Sequence, residues 1–248
     1  MTACAARRPW GTEGAGNGGS KAYVPRAPLK RQTLAVLRQR QVPVATVIDV
    51  GVLDGTPELL ETYPDRPHLL FEPVAEFAPT IEHHYRYVPH RLIQAAVSDS
   101  SGEIRLRTVG MIGRAAISHS FMTESADEAA RTVPRVSLDD YLRANPVDSP
   151  YFLKIDIDGE ELKVLAGAVE TLKRTSIVMI EVTVHTIIPR LQWLMDAGFQ
   201  LFDLTEPAYY DDSLWQCDAV FVRGDLHAGH FEALSERLDL AKYSVFGA

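Results

Sequence analysis

Cysteine is scarce in this chain. Its 248 residues include two, Cys4 and Cys217, far apart and in unlike surroundings. They can build neither a disulfide framework nor a CxxC metal knuckle, so a reducing, cytoplasmic setting is expected. No apolar run approaches the roughly 20 residues of a membrane span. Arg7 and Arg8 are followed by no hydrophobic segment, which argues against a secretion signal. Positive charge is also in deficit, with 25 Lys and Arg against 33 Asp and Glu, a formal charge of −8. That balance disfavours a nucleic-acid or anionic-membrane surface as partner. The GxGxxG pyrophosphate cradle, the Walker loop, the nucleophile elbow and zinc-ligand spacing are all missing, which argues against ATP hydrolysis and covalent catalysis. There is no internal repeat.

What is present is an apolar fraction of 46%, typical of a globular core. The length fits one large α/β domain. Residues 1–25, rich in Gly and Ala, read as a disordered segment, and 26–248 as a single domain. The organising stretch is 46–73, TVIDVGVLDGTPELLETYPDRPHLLFEP. It reads as a buried strand (46–50), a loop bracketed by Gly51 and Gly55 with Asp54 inside it, a helix (57–63), and a strand (68–71) stopped by Glu72 and Pro73. Gly51 lets the backbone turn sharply and approach a ligand. A carboxylate at the tip of the second strand suits the two hydroxyls of a ribose, so an adenosine-type ligand is expected over the two strand ends.

The remaining elements follow from periodicity. Residues 28–41 form a basic helix with Leu29, Leu34 and Leu37 as its apolar side. A helix over 75–87 carries His83 and His84, which as helix neighbours make a poor metal pair. A third strand (92–97) ends in Ser98 and Asp99, which reach an adenine amino group or close an Asx-type turn. Residues 103–108 alternate as a half-exposed strand. Residues 109–133 lack clear periodicity and read as a lid or substrate segment containing His119. A helix capped by Ser137 leads to the fourth core strand (151–157). A helix through about Thr171 follows, with Leu162, Leu165, Val169 and Leu172 on its buried side. The fifth strand (176–184), a helix (189–197), strands at 199–204 and 216–222 joined by a loop rich in Tyr and Asp, and a terminal helix (228–240) complete the chain.

Alternating strands and helices imply a mostly parallel sheet covered on both faces, with ligands at the carboxyl ends of its strands. Acids stand at five such ends: Asp54, Glu72, Asp99, Asp156 with Asp158, and Glu181 followed by His185. Lys154, inside the fourth strand, needs a carboxylate such as Asp49 or Glu181. His185 suits a general base because imidazole titrates near working pH. Asp156, Asp158 and Glu181 offer oxygen ligands for a divalent metal such as Mg²⁺, or a counter-charge for a cationic ligand.

The segments VIDVGVLDG, LLFEP, AAVSDSSGEIRL, VSLDDYL, FLKIDIDGEELKVLAGA, IVMIEV and QCDAVFVR occur in this order. Together they resemble the FkbM family of S-adenosylmethionine-dependent methyltransferases, over roughly 46–223. The resemblance implies a Rossmann-like class I methyltransferase fold with seven strands, the last antiparallel, and mostly O-methylation of small molecules or sugars. It implies that Asp49, Gly51, Asp54 and Gly55 surround the methionine part of S-adenosylmethionine. Glu72 with Pro73 would hold the ribose, Ser98 and Asp99 the adenine, and Asp156 would lie where the methionine amine meets the reaction centre. Two departures stand out: Val52-Leu53-Asp54 replaces the family's small residue and Asn, and Asp158 replaces its Glu.

The leading expectation is therefore an O-methyltransferase acting on a hydroxyl of a small metabolite, sugar or glycosylated natural product, with Asp156, Glu181 and His185 as catalytic candidates converging in one cleft. The acceptor is a small molecule rather than nucleic acid or membrane, and the oligomeric state, a homodimer included, is open. The alternatives are an NAD-dependent oxidoreductase on a similar sheet and a non-catalytic family member that binds a partner through 207–215.

Overall fold

The computed structural model describes residues 26–110, 117–123, 130–232, 242, 243, 245 and 246, with the backbone only for 117–123. The segment expected to be disordered, residues 1–25, lies outside them, as do the His119 side chain and the 233–240 part of the expected terminal helix.

The elements in chain order are α1 (Lys30–Gln39), β1 (Thr46–Val50), α2 (Pro57–Thr62), β2 (His68–Phe71), a 3₁₀ turn (Ala75–Phe77), α3 (Ala78–Tyr85), β3 (His90–Ile93), β4 (Ala96–Val97), β5 (Gly102–Gly110), β6 (Ile117–Thr123) and β7 (Arg131–Val136). There follow α4 (Leu138–Ala144), β8 (Tyr151–Ile155), α5 (Glu161–Ala166), α6 (Val169–Lys173), β9 (Thr175–Thr183), α7 (Ile187–Asp196), β10 (Phe199–Tyr210), β11 (Ser213–Arg223) and α8 (Gly224–His230).

The expected sheet is present. Seven strands run in the order β10-β11-β9-β8-β1-β2-β3. β3, β2, β1, β8 and β9 pair in parallel, and β11 inserts antiparallel between β9 and β10. β1 and β8 are buried throughout, as strands covered on both faces must be. One face packs Ile48, Val50, Leu153 and Ile180 against α4 to α7; the other packs Val47, Phe152, Ile177 and Val220 against Leu34 and Leu37 of α1 and Leu59 of α2. Among the described residues no helix is long and apolar enough to cross a membrane.

Several expectations change. The strand expected over 92–97 is two pieces. The Ala95 amide turns back onto the Ile93 carbonyl at 2.9 Å, ending β3, and Ala96–Val97 join a second sheet ordered β4-β7-β5-β6. Part of the aperiodic 109–133 stretch belongs to that sheet: Ile117–Thr123 pair with one side of β5, and residues 131–133 with the other. The helix expected after the fourth strand breaks into α5 and α6 at Gly167. A Cβ on Gly167 would lie 2.2 Å from the Ser98 carbonyl oxygen, so helix and loop touch at backbone distance. Leu162 and Val169 are consequently exposed, at 38% and 47%, while Val164, Leu165 and Leu172 are buried. Leu29 precedes α1 and is exposed, and Thr33 takes its place on the buried side. The Tyr- and Asp-rich loop shrinks to a turn at Asp211 and Asp212, because β10 and β11 pair as far as Tyr210 and Ser213.

Candidate functional site

The carboxyl ends of β1, β2 and β8 open into a cleft lined by Gly51, Leu53, Glu72, Pro73, Asp156 and Asp158. Ala95, Ala96 and Val97 wall one side with Leu106 of β5, and Glu181 of β9 closes the other.

Gly51 adopts φ +83°. Its amide donates to the Phe71 carbonyl at 3.0 Å, and the Asp156 amide reaches the Val50 carbonyl at 3.0 Å. A Cβ on Gly51 would sit 1.8 Å from the Asp156 carbonyl oxygen. The close approach this glycine permits is thus between the tips of β1 and β8, not the expected one to a ligand, although the residue does line the cleft. Leu53, at φ +55°, turns the loop so that its amide donates to Glu72 Oε2 at 2.9 Å. Asp54 and Gly55 do not line the cleft. The Asp54 carbonyl is bonded to His84 Nδ1 at 2.7 Å, and a Cβ on Gly55 would meet the same ring at 3.0 Å. These two residues tie the loop to α3, away from their expected place around the cofactor.

Glu72 is 4% exposed. Its Oε1 accepts from the Val74 amide at 2.9 Å, so each oxygen holds one backbone N–H and keeps further lone-pair capacity. Burial pushes its carboxyl up to about 7, against the pull of those two amides and of Lys154. A dry carboxylate with acceptor capacity left, facing a cleft, fits a pair of ligand hydroxyls.

Ser98 and Asp99, expected at the adenine, stand apart from the cleft. Ser98 is buried at the α5–α6 junction, and exposed Asp99 accepts from Ser100 Oγ at 2.9 Å. Neither lines the cleft, because the break after Ile93 puts the small apolar run Ala95–Ala96–Val97 at the opening. Leu106 was readable only as the inward position of an alternating strand; its place beside β4 depends on the second sheet.

A row of charges crosses the sheet face that carries α1. Asp49 lies opposite Lys154 in the β1–β8 register, and Asp218 opposite Glu181 in the β11–β9 register. Lys154 Nζ stands 3.2 Å from Asp49, 3.4 Å from Asp156 and 2.8 Å from the Gly51 carbonyl oxygen. Burial opposes its charge, but the Asp49 and Asp156 carboxylates hold the ammonium above its ordinary range. Asp49 itself is fully buried and accepts from Thr56 Oγ1 at 2.7 Å. It holds the loop and the lysine in place; expected in contact with the cofactor's methionine part, it lies beneath the cleft and does not line it.

Asp156 and Glu181 come together in the cleft, as expected of neighbouring strands. Burial first, then the carboxylates of Asp156, Glu161, Asp218 and Asp158, push Glu181 up to about 7. His185 does not converge with them. It is exposed past the end of β9, with its ring 6.0 Å from that of Trp215, and is absent from the cleft wall. The expected metal set is also corrected: among the described residues no group of three His, Cys, Asp or Glu side chains is arranged to hold a metal ion, Asp156, Asp158 and Glu181 included. Nor do His83 and His84 form a metal pair, since His84 serves the Asp54 turn.

Residues 49–207 match the family described as the methyltransferase FkbM domain. No curated protein matches the chain. Among solved structures it is similar to a methyltransferase FkbM from Methylobacillus flagellatus KT, with 15% identity and TM-score 0.48 over 72% of this chain. The chain spans 43% of that protein's length. It is also similar to an rRNA methylase from Streptococcus thermophilus, with 10% identity and TM-score 0.46 over 77% of this chain and 93% of the other. A fibrillarin from Aeropyrum pernix, solved with natively bound S-adenosyl-L-methionine, gives 11% identity and TM-score 0.44 over 81% and 84%.

Proposed function

The chain belongs to the FkbM methyltransferase family, and we propose that it transfers the methyl group of S-adenosylmethionine to a hydroxyl oxygen of a small metabolite, sugar or glycosylated natural product. The observation that carries this reading is the position of Glu72: a buried carboxylate at the tip of β2, with lone pairs free and the Gly51–Leu53 turn beside it.

When bound, the cofactor supplies an electrophilic methyl group on a sulfonium whose positive charge is lost on transfer. Glu72 would accept the ribose hydroxyls. Ala95, Ala96, Val97 and Leu106 offer an apolar wall to the purine, which replaces the polar adenine contact expected of Ser98 and Asp99. Asp156 and Asp158 would meet the cationic end, with Lys154 Nζ 3.4 Å from Asp156. Glu181 takes the proton of the acceptor hydroxyl. A carboxyl at about 7 is matched to that task near neutrality, where an ordinary carboxylate is too weak a base. The acids of the cleft suit a neutral or cationic acceptor, in keeping with a small molecule rather than nucleic acid.

Calorimetric titration with S-adenosylmethionine and with NAD tests the cofactor, and formation of S-adenosylhomocysteine with hydroxyl acceptors tests the reaction. Binding of NAD alone would overturn the reading.

A further inference from the structure

The family match ends at residue 207 and begins at 49, yet the charge row at the cleft continues beyond both limits. Lys30, in the first turn of α1, places Nζ 2.8 Å from Asp218 Oδ2 and 3.6 Å from Glu206 Oε2. Its own amide donates to Glu206 Oε1 at 3.3 Å, and the Glu206 amide donates to the Pro28 carbonyl at 2.7 Å. Glu206 sits at φ +51° within a register shift of the β10–β11 hairpin, so Lys30 grips the hairpin where it bends. Asp218, 7% exposed, is the residue directly opposite Glu181.

We propose that Lys30 and Asp218 are positioning residues for Glu181: the Lys30 ammonium holds Asp218 as a carboxylate in the row, and the exchangeable proton of the row therefore resides on Glu181. The inference rests on the methyl-transfer reading, since it gives the proton its use. The groups around Glu181 assign it this place. On β8 and just past it, Asp156 is paired with Lys154, and Asp158 adds a negative charge. On α5, Glu161 is paired with Arg190 of α7, whose Nη1 also donates to the Glu181 carbonyl at 2.7 Å. On β11, Asp218 is paired with Lys30, and Glu206 of β10 shares that ammonium. Glu181 itself has no cation or hydrogen-bond donor on its carboxylate among the described residues. Burial raises the Asp218 carboxyl, and Lys30 is the first influence that brings it down. Without that ammonium, two facing carboxyls compete for one proton and titrate as a coupled pair.

The test follows the side-chain carboxyl carbons of Glu181 and Asp218 by ¹³C NMR across pH 4–9 in the full chain. Lys30→Met should raise the Asp218 midpoint by about one unit or more and split the Glu181 curve into two steps, as loss of a neighbouring opposite charge requires. Lys30→Arg should restore the Asp218 midpoint. Asp218→Asn, which leaves Lys30 in place, should lower the Glu181 midpoint through loss of a like charge, and serves if Lys30→Met does not fold. Unmoved Glu181 and Asp218 midpoints in folded Lys30→Met, or an unmoved Glu181 midpoint in Asp218→Asn, would overturn the proposal. S-Adenosylmethionine titration of the wild type reads separately on the function: absent binding there defeats the methyl-transfer reading and leaves the NMR result to speak for the charge row alone.

Discussion

Lys154 and Asp49 face each other across β8 and β1 with Nζ and Oδ1 3.2 Å apart, and both are almost wholly removed from water. The contact is a charge pair rather than a well-directed hydrogen bond, since Oδ1 has no donor in line while Oδ2 takes the Thr56 hydroxyl. Breaking it should leave a buried charge behind. Lys154→Met is expected to cost about 3–5 kcal/mol in urea unfolding, the usual penalty for removing one partner of a buried pair. A loss below about 1 kcal/mol would mean that water reaches the site.

On the proposed reading Glu72 holds the ribose hydroxyls of the cofactor. Glu72→Ala should weaken S-adenosylmethionine binding by about 1.5–3 kcal/mol, the range for hydrogen bonds to a charged group. Calorimetry gives the number directly, and unchanged affinity in the folded variant would remove Glu72 from the ribose site.

Gly51→Ala should damage the fold before it damages binding. The added Cβ would fall 1.8 Å from the Asp156 carbonyl oxygen, at a backbone angle that L-residues rarely adopt. Strain and clash together predict a loss of about 3 kcal/mol or more. A variant that melts like the wild type and merely fails to bind the cofactor would return Gly51 to the ligand-contact role.

Stability of the ligand-free protein should fall as pH rises from about 4.5 to about 7. In the unfolded chain Glu72 loses its proton near the ordinary value of 4.5, whereas in the folded chain it keeps it to about 7. The folded state therefore binds more protons in this window, and its advantage, full below the lower value, is lost above the upper one. For a side chain this buried the shift corresponds to about 3 kcal/mol. Glu181 acts in the same direction. Unfolding free energies at pH 5, 6, 7 and 8 should fall less steeply for Glu72→Gln than for wild type; parallel slopes would contradict the assignment.

Glu181 and His185 should separate kinetically. Once an acceptor is identified, Glu181→Gln should slow the chemical step by about 10²–10⁴-fold. His185→Ala should stay within about threefold, because the ring lies outside the cleft beside Trp215. The reverse order in single-turnover assays would reinstate His185.

Much of this molecule is local and was legible in the chain. β1 and β2 fall on the expected residues because buried parallel strands must be continuous apolar runs. Ser137 caps α4 through the Asp140 amide as its position before the helix requires. Glu72, Asp156 and Glu181 reach the cleft because strand ends in a parallel sheet share one edge. The sequence by itself thus determined the sheet, the edge where the cleft opens and the acids placed there. Tertiary structure decided which of those acids face outward. Asp49 and Glu72 stand near the carboxyl ends of adjacent strands, yet Asp49 is buried against Lys154 while Glu72 opens to the cleft. Period two assigns a face to each residue but not what covers that face. Only packing brought Leu106 from a second sheet to the cleft, carried His185 past its edge, and set Lys30 from α1 against Asp218, contacts between residues whose separation along the chain leaves no local pattern to read.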